Sequence, residues 1–243
     1  MLQGFYSAVV GAQQQMDRMN VQANNIANVN TYGYKAEKPA FEALMYGMLD
    51  GIDGEQLPRG TGALMISTAT DFSDAPIEET RRDQDYAIQG EGFFALYNPG
   101  TGEVSYTRDG SFTVTSYQVA DEEGNLEEVY YLTDGEGRQV LDTAGYPIVV
   151  EDPNAEQPVG VFTLQYKDGL QHLGSGRFLA GDKNGSVWVG TSPVLRGYLE
   201  TANVDLAEEL SKVIEAQRSY SLVLKMVTTA DEVETTINNL TSG

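Results

Sequence analysis

The 243 residues suffice for one large domain or two modest ones with a buried core. With 15 basic against 36 acidic side chains the net charge is −21, a field that disfavours nucleic acid and anionic lipid as partners. The chain has no cysteine, which excludes a disulfide framework and a thiolate metal site.

The N-terminal stretch reads as a helix. Apolar or small residues fall at Leu2, Phe5, Val9, Ala12, Met16, Met19, Ala23 and Ile26, alternating steps of three and four in a heptad seam. The pattern predicts a helix over 3–27, about 38 Å long. Its end is crowded with Asn20, Asn24, Asn25, Asn28 and Asn30, all mediocre helix formers. Asparagine tolerates the left-handed conformation and satisfies helix-end carbonyls, so Asn28, Asn30 and Gly33 are placed to stop the helix and turn the chain. The opening MLQGFYSAVVGAQQQ lacks the basic start and continuous apolar run of a signal peptide, and no window approaches the roughly 18 apolar residues of a membrane span.

Residues 36–75 are punctuated by Gly and Pro and read as an extended connector, with a short helical turn at FEALMYGML. From 76 to 199 the period drops to two. DYAIQGEGFFALYNPGTGEVSYTRDGSFTVT gives strand-like runs with turns at Gly90–Gly92, Asn98–Gly102 and Asp109–Gly110. Further strands lie around DGEG and in VGVFTLQY, RFLAG and SVWVG, and SYQVADEEGNLEEVYY is expected as an acidic hairpin. Short strands so regularly punctuated imply an antiparallel sandwich or irregular barrel.

The last segment, 200–243, returns to helix. Leu206, Leu210, Val213, Gln217, Tyr220, Leu224 and Val227 keep the heptad rule, and Ala230, Val233, Ile237 and Leu240 continue it after one slipped step. Asp205 followed by Glu208 has the form of an N-cap with its capping-box partner. The fold class is therefore α+β, with terminal helices pairing as a coiled coil and a central antiparallel β-rich domain. Its parts are 1–35, the connector 36–75, the β-rich domain 76–199, and 200–243.

Two core helices of a compact α+β domain would satisfy the same periodicity. Charge usage argues otherwise, because residues 1–34 carry only Asp17 and Arg18, and residues 219–230 only Lys225. A helix with a solvated outer face usually carries many more, so these faces are suited to meeting more protein. Catalytic and cofactor motifs are wanting. His172 is the single histidine, with no constellation for nucleophilic catalysis or metal binding beside it, and the GEG turns lack a phosphate-binding strand-to-helix setting.

The stretch NVQANNIANVNTYGYK resembles the N-terminal signature of bacterial flagellar axial proteins, the rod and hook family. The run Ala23-Asn24-Asn25-Ile26-Ala27-Asn28 is followed by Thr31, Gly33, Tyr34 and Lys35. DYAIQGEGFFAL, YTRDGSFTV and GRQVLDTAGYPI resemble the family's β-domain. The C-terminal helix is similar as well, including Asn203-Val204-Asp205 and Gln217-Arg218-Ser219-Tyr220.

What the resemblance implies is a structural subunit of the flagellar rod, without enzymatic activity or cofactor. It would polymerise into a helical tube that transmits torque, with both terminal helices inside and the β-domain outside. It would be exported by the flagellar type III apparatus without a cleaved signal peptide and sit in the basal body. Its partners would be itself, other rod and hook proteins and the export apparatus, with no nucleic acid and no membrane insertion. The residues implied for assembly are Ala23, Asn24, Asn25, Ile26, Asn28, Asn30, Thr31, Gly33, Tyr34, Asn203, Asp205, Gln217, Tyr220 and Leu224. The single β-domain favours rod over hook, and AIQGEGFF with NVDLAEEL favours the distal rod. The rivals are a secreted adhesive protein with an oligomeric coiled coil and a wall-degrading enzyme.

Overall fold

The computed structural model describes residues 2–43, 47–50, 56–59, 63–120 and 126–241. Helix α1 runs Leu2–Ala27 and α2 Leu206–Thr241, with strands between them in sequence. The chain is α+β, with an N-terminal helix, a C-terminal helix and a central antiparallel β-sheet domain. It forms two compact units: residues 1–27, 37–71 and 204–243, and residues 28–36 with 72–203.

In the first unit α1 and α2 pack side by side. Arg18 meets Glu215 and Asn25 meets Glu209, so the partner's number falls as α1 advances and the pair is antiparallel. With them are β1 (Glu37–Ala43), β2 (Gly47–Asp50), β3 (Gln56–Arg59) and β4 (Ala63–Thr70). Strand β1 pairs with β4 across a register shift at Ala40/Phe41, and β2 with β3. The helical turn expected at FEALMYGML is corrected here: Phe41–Ala43 end β1 and Gly47–Leu49 belong to β2, while 44–46 lie outside the described residues. The partner strand offered by β4 outweighs the weak local helix signal.

The second unit holds β5 (Ile77–Glu79), β6 (Tyr86–Ile88), β7 (Phe93–Tyr97), β8 (Val104–Thr107), β9 (Thr113–Ala120), β10 (Leu126–Thr133) and β11 (Gln139–Val140). It continues with β12 (Val161–Leu164), β13 (Gln171–Gly174), β14 (Arg177–Leu179), β15 (Val187–Val189), β16 (Val194–Arg196) and β17 (Tyr198–Glu200). The main sheet has the order β13-β14-β8-β7-β11-β10-β9, with β12 also on β7 and β15 on β12. Strands β16 and β6 form one ribbon and β17 and β5 another. The expected acidic hairpin is β9 against β10, paired from Thr113↔Thr133 to Ala120↔Leu126; its tip at 121–125 lies outside the described residues.

Strand β7 reads FFALY, a continuous apolar run, because both its faces are covered. Phe94 and Leu96 enter a core with Tyr86, Phe112, Leu132 and Val140. Phe93 points the other way, into a cluster with Leu164, Leu170 and Phe178. There Phe72, Phe93 and Phe178 meet edge to face at centroid distances of 5.4 to 6.0 Å, the arrangement that ring quadrupoles favour. The Asp109–Gly110 turn presses against β6: a Cβ on Gly110 would lie 1.7 Å from the Tyr86 carbonyl oxygen, so this position accepts only glycine.

Candidate functional site

In the helical unit, Asn25 is buried at 2% exposure. Its Nδ2 donates to the Glu37 carbonyl and its Oδ1 accepts from the Glu37 amide, both at 2.9 Å. The side chain thus stands in for a neighbouring strand and fixes the start of β1 on α1. Nδ2 also approaches Glu209 Oε2 at 3.3 Å. The buried Glu209 receives Lys212 Nζ at 2.7 Å. Burial works against the Lys212 charge, but the Glu208 and Glu209 carboxylates prevail and hold its pKa above the usual lysine value. Asp205 Oδ1 accepts from the Ala207 and Glu208 amides at 2.9 and 3.2 Å, the N-cap geometry.

The face joining the helices keeps only part of the expected apolar seam, with Ala12 buried and Met19, Ile26, Val213, Tyr220 and Val227 half-buried. Among the described α1 side chains Ala12, Gln14, Val21, Gln22 and Asn25 are buried, whereas Val9 and Met16 are 41% and 48% exposed. On α2 Glu209 and Ala216 are buried, with Val213, Tyr220, Val223 and Val227 half-buried. Leu206, Leu210, Ile214 and Leu224 remain 42% to 50% exposed. Small residues and amides let the helices approach, while Val9, Met16, Leu206, Leu210, Ile214 and Leu224 stay exposed. Gln217 is exposed, Ile26 half-buried, and Ala23 and Asn24 exposed.

In the β unit, Asn28, Asn30, Thr31, Gly33 and Tyr34 make the signature turn. The Thr31 amide donates to the Asn28 carbonyl at 3.0 Å and its hydroxyl to Asn28 Oδ1 at 3.3 Å; Asn30 is exposed. Gly33 has φ +66°, donates to the Glu200 carbonyl at 2.8 Å, and would place a Cβ 2.3 Å from the Asp109 nitrogen. Tyr34 is buried. Asn203 Oδ1 accepts from the Ala36 amide at 2.7 Å and its Nδ2 donates to Ser73 Oγ at 3.2 Å.

The turn delivers Lys35 into a buried ionic cluster that sequence reasoning did not single out. Lys35 Nζ donates to Glu200 Oε1 and to the Ser73 carbonyl, each at 2.7 Å. Arg108 Nη1 lies 3.4 Å from Glu200 Oε2, while its Nη2 donates to the Gly90 carbonyl at 2.6 Å. Burial pushes the Lys35 pKa down, against the pull of Glu200. The signal available in the sequence was a single cation in each of TRDGSF and TYGYK and a single carboxylate in GYLE. His172 packs edge-on against Phe178 at 4.8 Å. Among the described residues, no group of acidic, histidine or cysteine side chains could hold a metal, and no helix is long and apolar enough to cross a membrane.

Terminal helices packed on one another, with a β-domain between them in sequence and a turn locked by its own signature residues, are the organisation implied for a flagellar axial protein. Residues 5–35 match the family described as flagella basal body rod protein, residues 87–157 the flagellar hook protein FlgE/F/G D1 domain, and residues 195–240 the flagellar basal body rod FlgEFG protein C-terminal. The flagellar basal-body rod protein FlgG of Buchnera aphidicola subsp. Baizongia pistaciae is 32% identical over 96% of this chain and 97% of its own length. FlgG of Bacillus subtilis is 28% identical over 99% of each chain, and the flagellar hook-basal body complex protein FlhP of the same organism 26% identical over 99% and 100%. The chain belongs to the family of FlgG-type flagellar basal-body rod proteins, structural proteins of the flagellum.

Proposed function

We propose that this chain polymerises with itself into a helical tube, the rod of the flagellar basal body, and passes torque from motor to hook. The observation that carries the reading is the exposed apolar row, Val9 and Met16 on α1 and Leu206, Leu210, Ile214 and Leu224 on α2, with α1 carrying only Asp17 and Arg18. Large apolar side chains exposed along a helix pair are suited to a protein contact. In the polymer the terminal helices face inward through these rows and the acidic β unit faces outward, and the domain parts and assembly residues expected from sequence act in that arrangement. Other rod and hook proteins bind at its ends, and the flagellar type III apparatus exports it. Ala87–Phe94 and Asn203–Leu210, both in family form, support the distal rod.

The test is electron microscopy of purified full-length protein beside its size-exclusion mass. Tubes or protofilaments are expected. A closed small oligomer would sink the reading in favour of an adhesive coiled coil, and clearing on a cell-wall zymogram would favour an enzyme.

A further inference from the structure

Two of the helical cations are answered within the chain, Arg18 by Glu215 and Lys212 by Glu208 and Glu209. Arg218 is not. Its side chain is exposed and, among the described residues, makes no ion pair or hydrogen bond; Glu215, the carboxylate within one turn of it, already faces Arg18. Arg218 stands on the α2 ridge Leu206, Leu210, Ile214, Arg218, Leu222, in which residues four apart adjoin. Its neighbours there, Ile214 and Leu222, are 50% and 61% exposed. Lys225, the other cation of that stretch, has Ser221 and Thr229 in those positions, so Arg218 is the charge set among exposed apolar side chains.

The β unit carries a complement. Asn30, Tyr32 and Glu78 border a recess of about 150 Å³ closed by Val29, Thr201 and Ala202. All three side chains are exposed and, among the described residues, make no hydrogen bond or ion pair, whereas the adjacent Glu79 is held by Arg81. We infer that Arg218 of a second copy of this chain enters this recess, its guanidinium on the Glu78 carboxylate with the Asn30 amide oxygen and the Tyr32 hydroxyl as further acceptors. A guanidinium has five donors in a fixed plane and no acceptor, which suits a carboxylate flanked by two neutral oxygens. Charge complementarity selects the second copy. Closing the apolar ridge between copies would strand the Arg218 charge unless the facing surface supplied a carboxylate, and the recess holds one that no cation of its own chain uses. The two halves of the contact are different surfaces, and such heterologous contacts repeat into open filaments where the rotation does not close. The inference rests on the self-assembly reading and gives it a named register.

The experiment uses full-length protein and measures the concentration above which it polymerises. Arg218→Glu and Glu78→Arg each set like charges in the contact, and each should raise that concentration about tenfold or more. Monomer melting should hold, because both side chains are exposed. The two changes together in one chain should restore assembly. An equal mixture of the two single variants should restore it as well, since each copy then meets its complement, and rescue by mixing requires a contact between copies. A photo-crosslinking phenylalanine derivative in place of Tyr32 should capture a peptide containing Arg218 from an isotope-labelled second copy. Single variants that polymerise as wild type does, or a loss that either pairing leaves unrepaired, would overturn the contact alone. Should a charge variant melt early, the crosslink decides, and capture within one copy or of another segment overturns the contact. Failure of wild type to polymerise at all would remove the self-assembly reading and the contact together.

Discussion

Lys35 and Glu200, 165 residues apart in sequence, meet at 2.7 Å with side-chain exposures of 0% and 2%. A pair so buried is a poor source of net stability, yet breaking it from one side leaves an uncompensated charge. The two sides are unequal, because Arg108 also faces Glu200. Glu200→Gln removes the buried carboxylate that faces both cations, leaving Lys35 with the Ser73 carbonyl and Arg108 with the Gly90 carbonyl and Asp74, and should cost about 3–5 kcal/mol. Lys35→Met leaves Glu200 with Arg108 and should cost less, about 1–3 kcal/mol. Denaturant unfolding of both variants checks the order, and equal losses would show that Arg108 does not share the carboxylate.

Asn25 offers a second asymmetry. Asn25→Ala removes two bonds to Glu37 and one to Glu209, leaving polar groups unpaired at a cost of about 2–4 kcal/mol. Asn25→Asp keeps the acceptor for the Glu37 amide but sets a carboxylate against the Glu37 carbonyl and Glu209. It should be the worse variant at neutral pH and should recover on acidification, as the new carboxyl takes up a proton. Melting temperatures across pH 4 to 8 read this directly, and an Asp variant insensitive to pH would contradict it.

Asp109 is held above the ordinary aspartate pKa, chiefly by burial, with the Ser111 hydrogen bonds pulling the other way. A carboxyl whose folded pKa is raised binds its proton more tightly in the folded state. Its contribution is therefore favourable below the unfolded value of 3.8 and is lost as pH rises through the folded pKa. Asn at this position retains an oxygen for the Ser111 amide without a charge to bury. Asp109→Asn should melt higher than wild type at pH 7, and the advantage should vanish in acid. An advantage that persists below the unfolded pKa would mean that something other than the buried charge was relieved.

Much of this fold is legible in the sequence because its signals are local. The heptads give α1 and α2 almost to the residue, Asp205 gives the α2 cap, and paired turns isolate β7 and β8. What is not legible is long-range. Strand β1 exists because β4 pairs with it, and the pattern around DGEG, which announces β11, does not say that it pairs with both β10 and β7. The partners of Lys35 lie 38 and 165 residues downstream, in segments whose own patterns announce only strand or turn. Asn25 is conspicuous by type and spacing, but that it mimics a strand against Glu37 depends on a chain reversal that periodicity does not encode. The helix faces mislead for a related reason. Periodicity reports which positions are apolar, and in this chain buried amides share the helix contact while several apolar side chains stay exposed.

Leu224 tests that last distinction. It is 42% exposed on α2, between the half-buried Tyr220 and Val227. Within one chain its replacement by Asp removes little packing, so monomer melting should change by less than about 0.5 kcal/mol. In the polymer the same carboxylate enters a face closed by neighbouring helices, where desolvation costs several kcal/mol or forces protonation. Assembly, and motility in cells that depend on this rod, should be lost. Leu224→Met keeps volume and polarity and should cost under about 1.5 kcal/mol even at a fully packed contact, so those cells should stay motile. Sedimentation of purified variants and a motility assay separate the outcomes. Normal assembly of Leu224→Asp would place this row of α2 in solvent and remove it from the tube. A collapse of monomer melting would place Leu224 inside the helical unit itself, against the exposure it shows here.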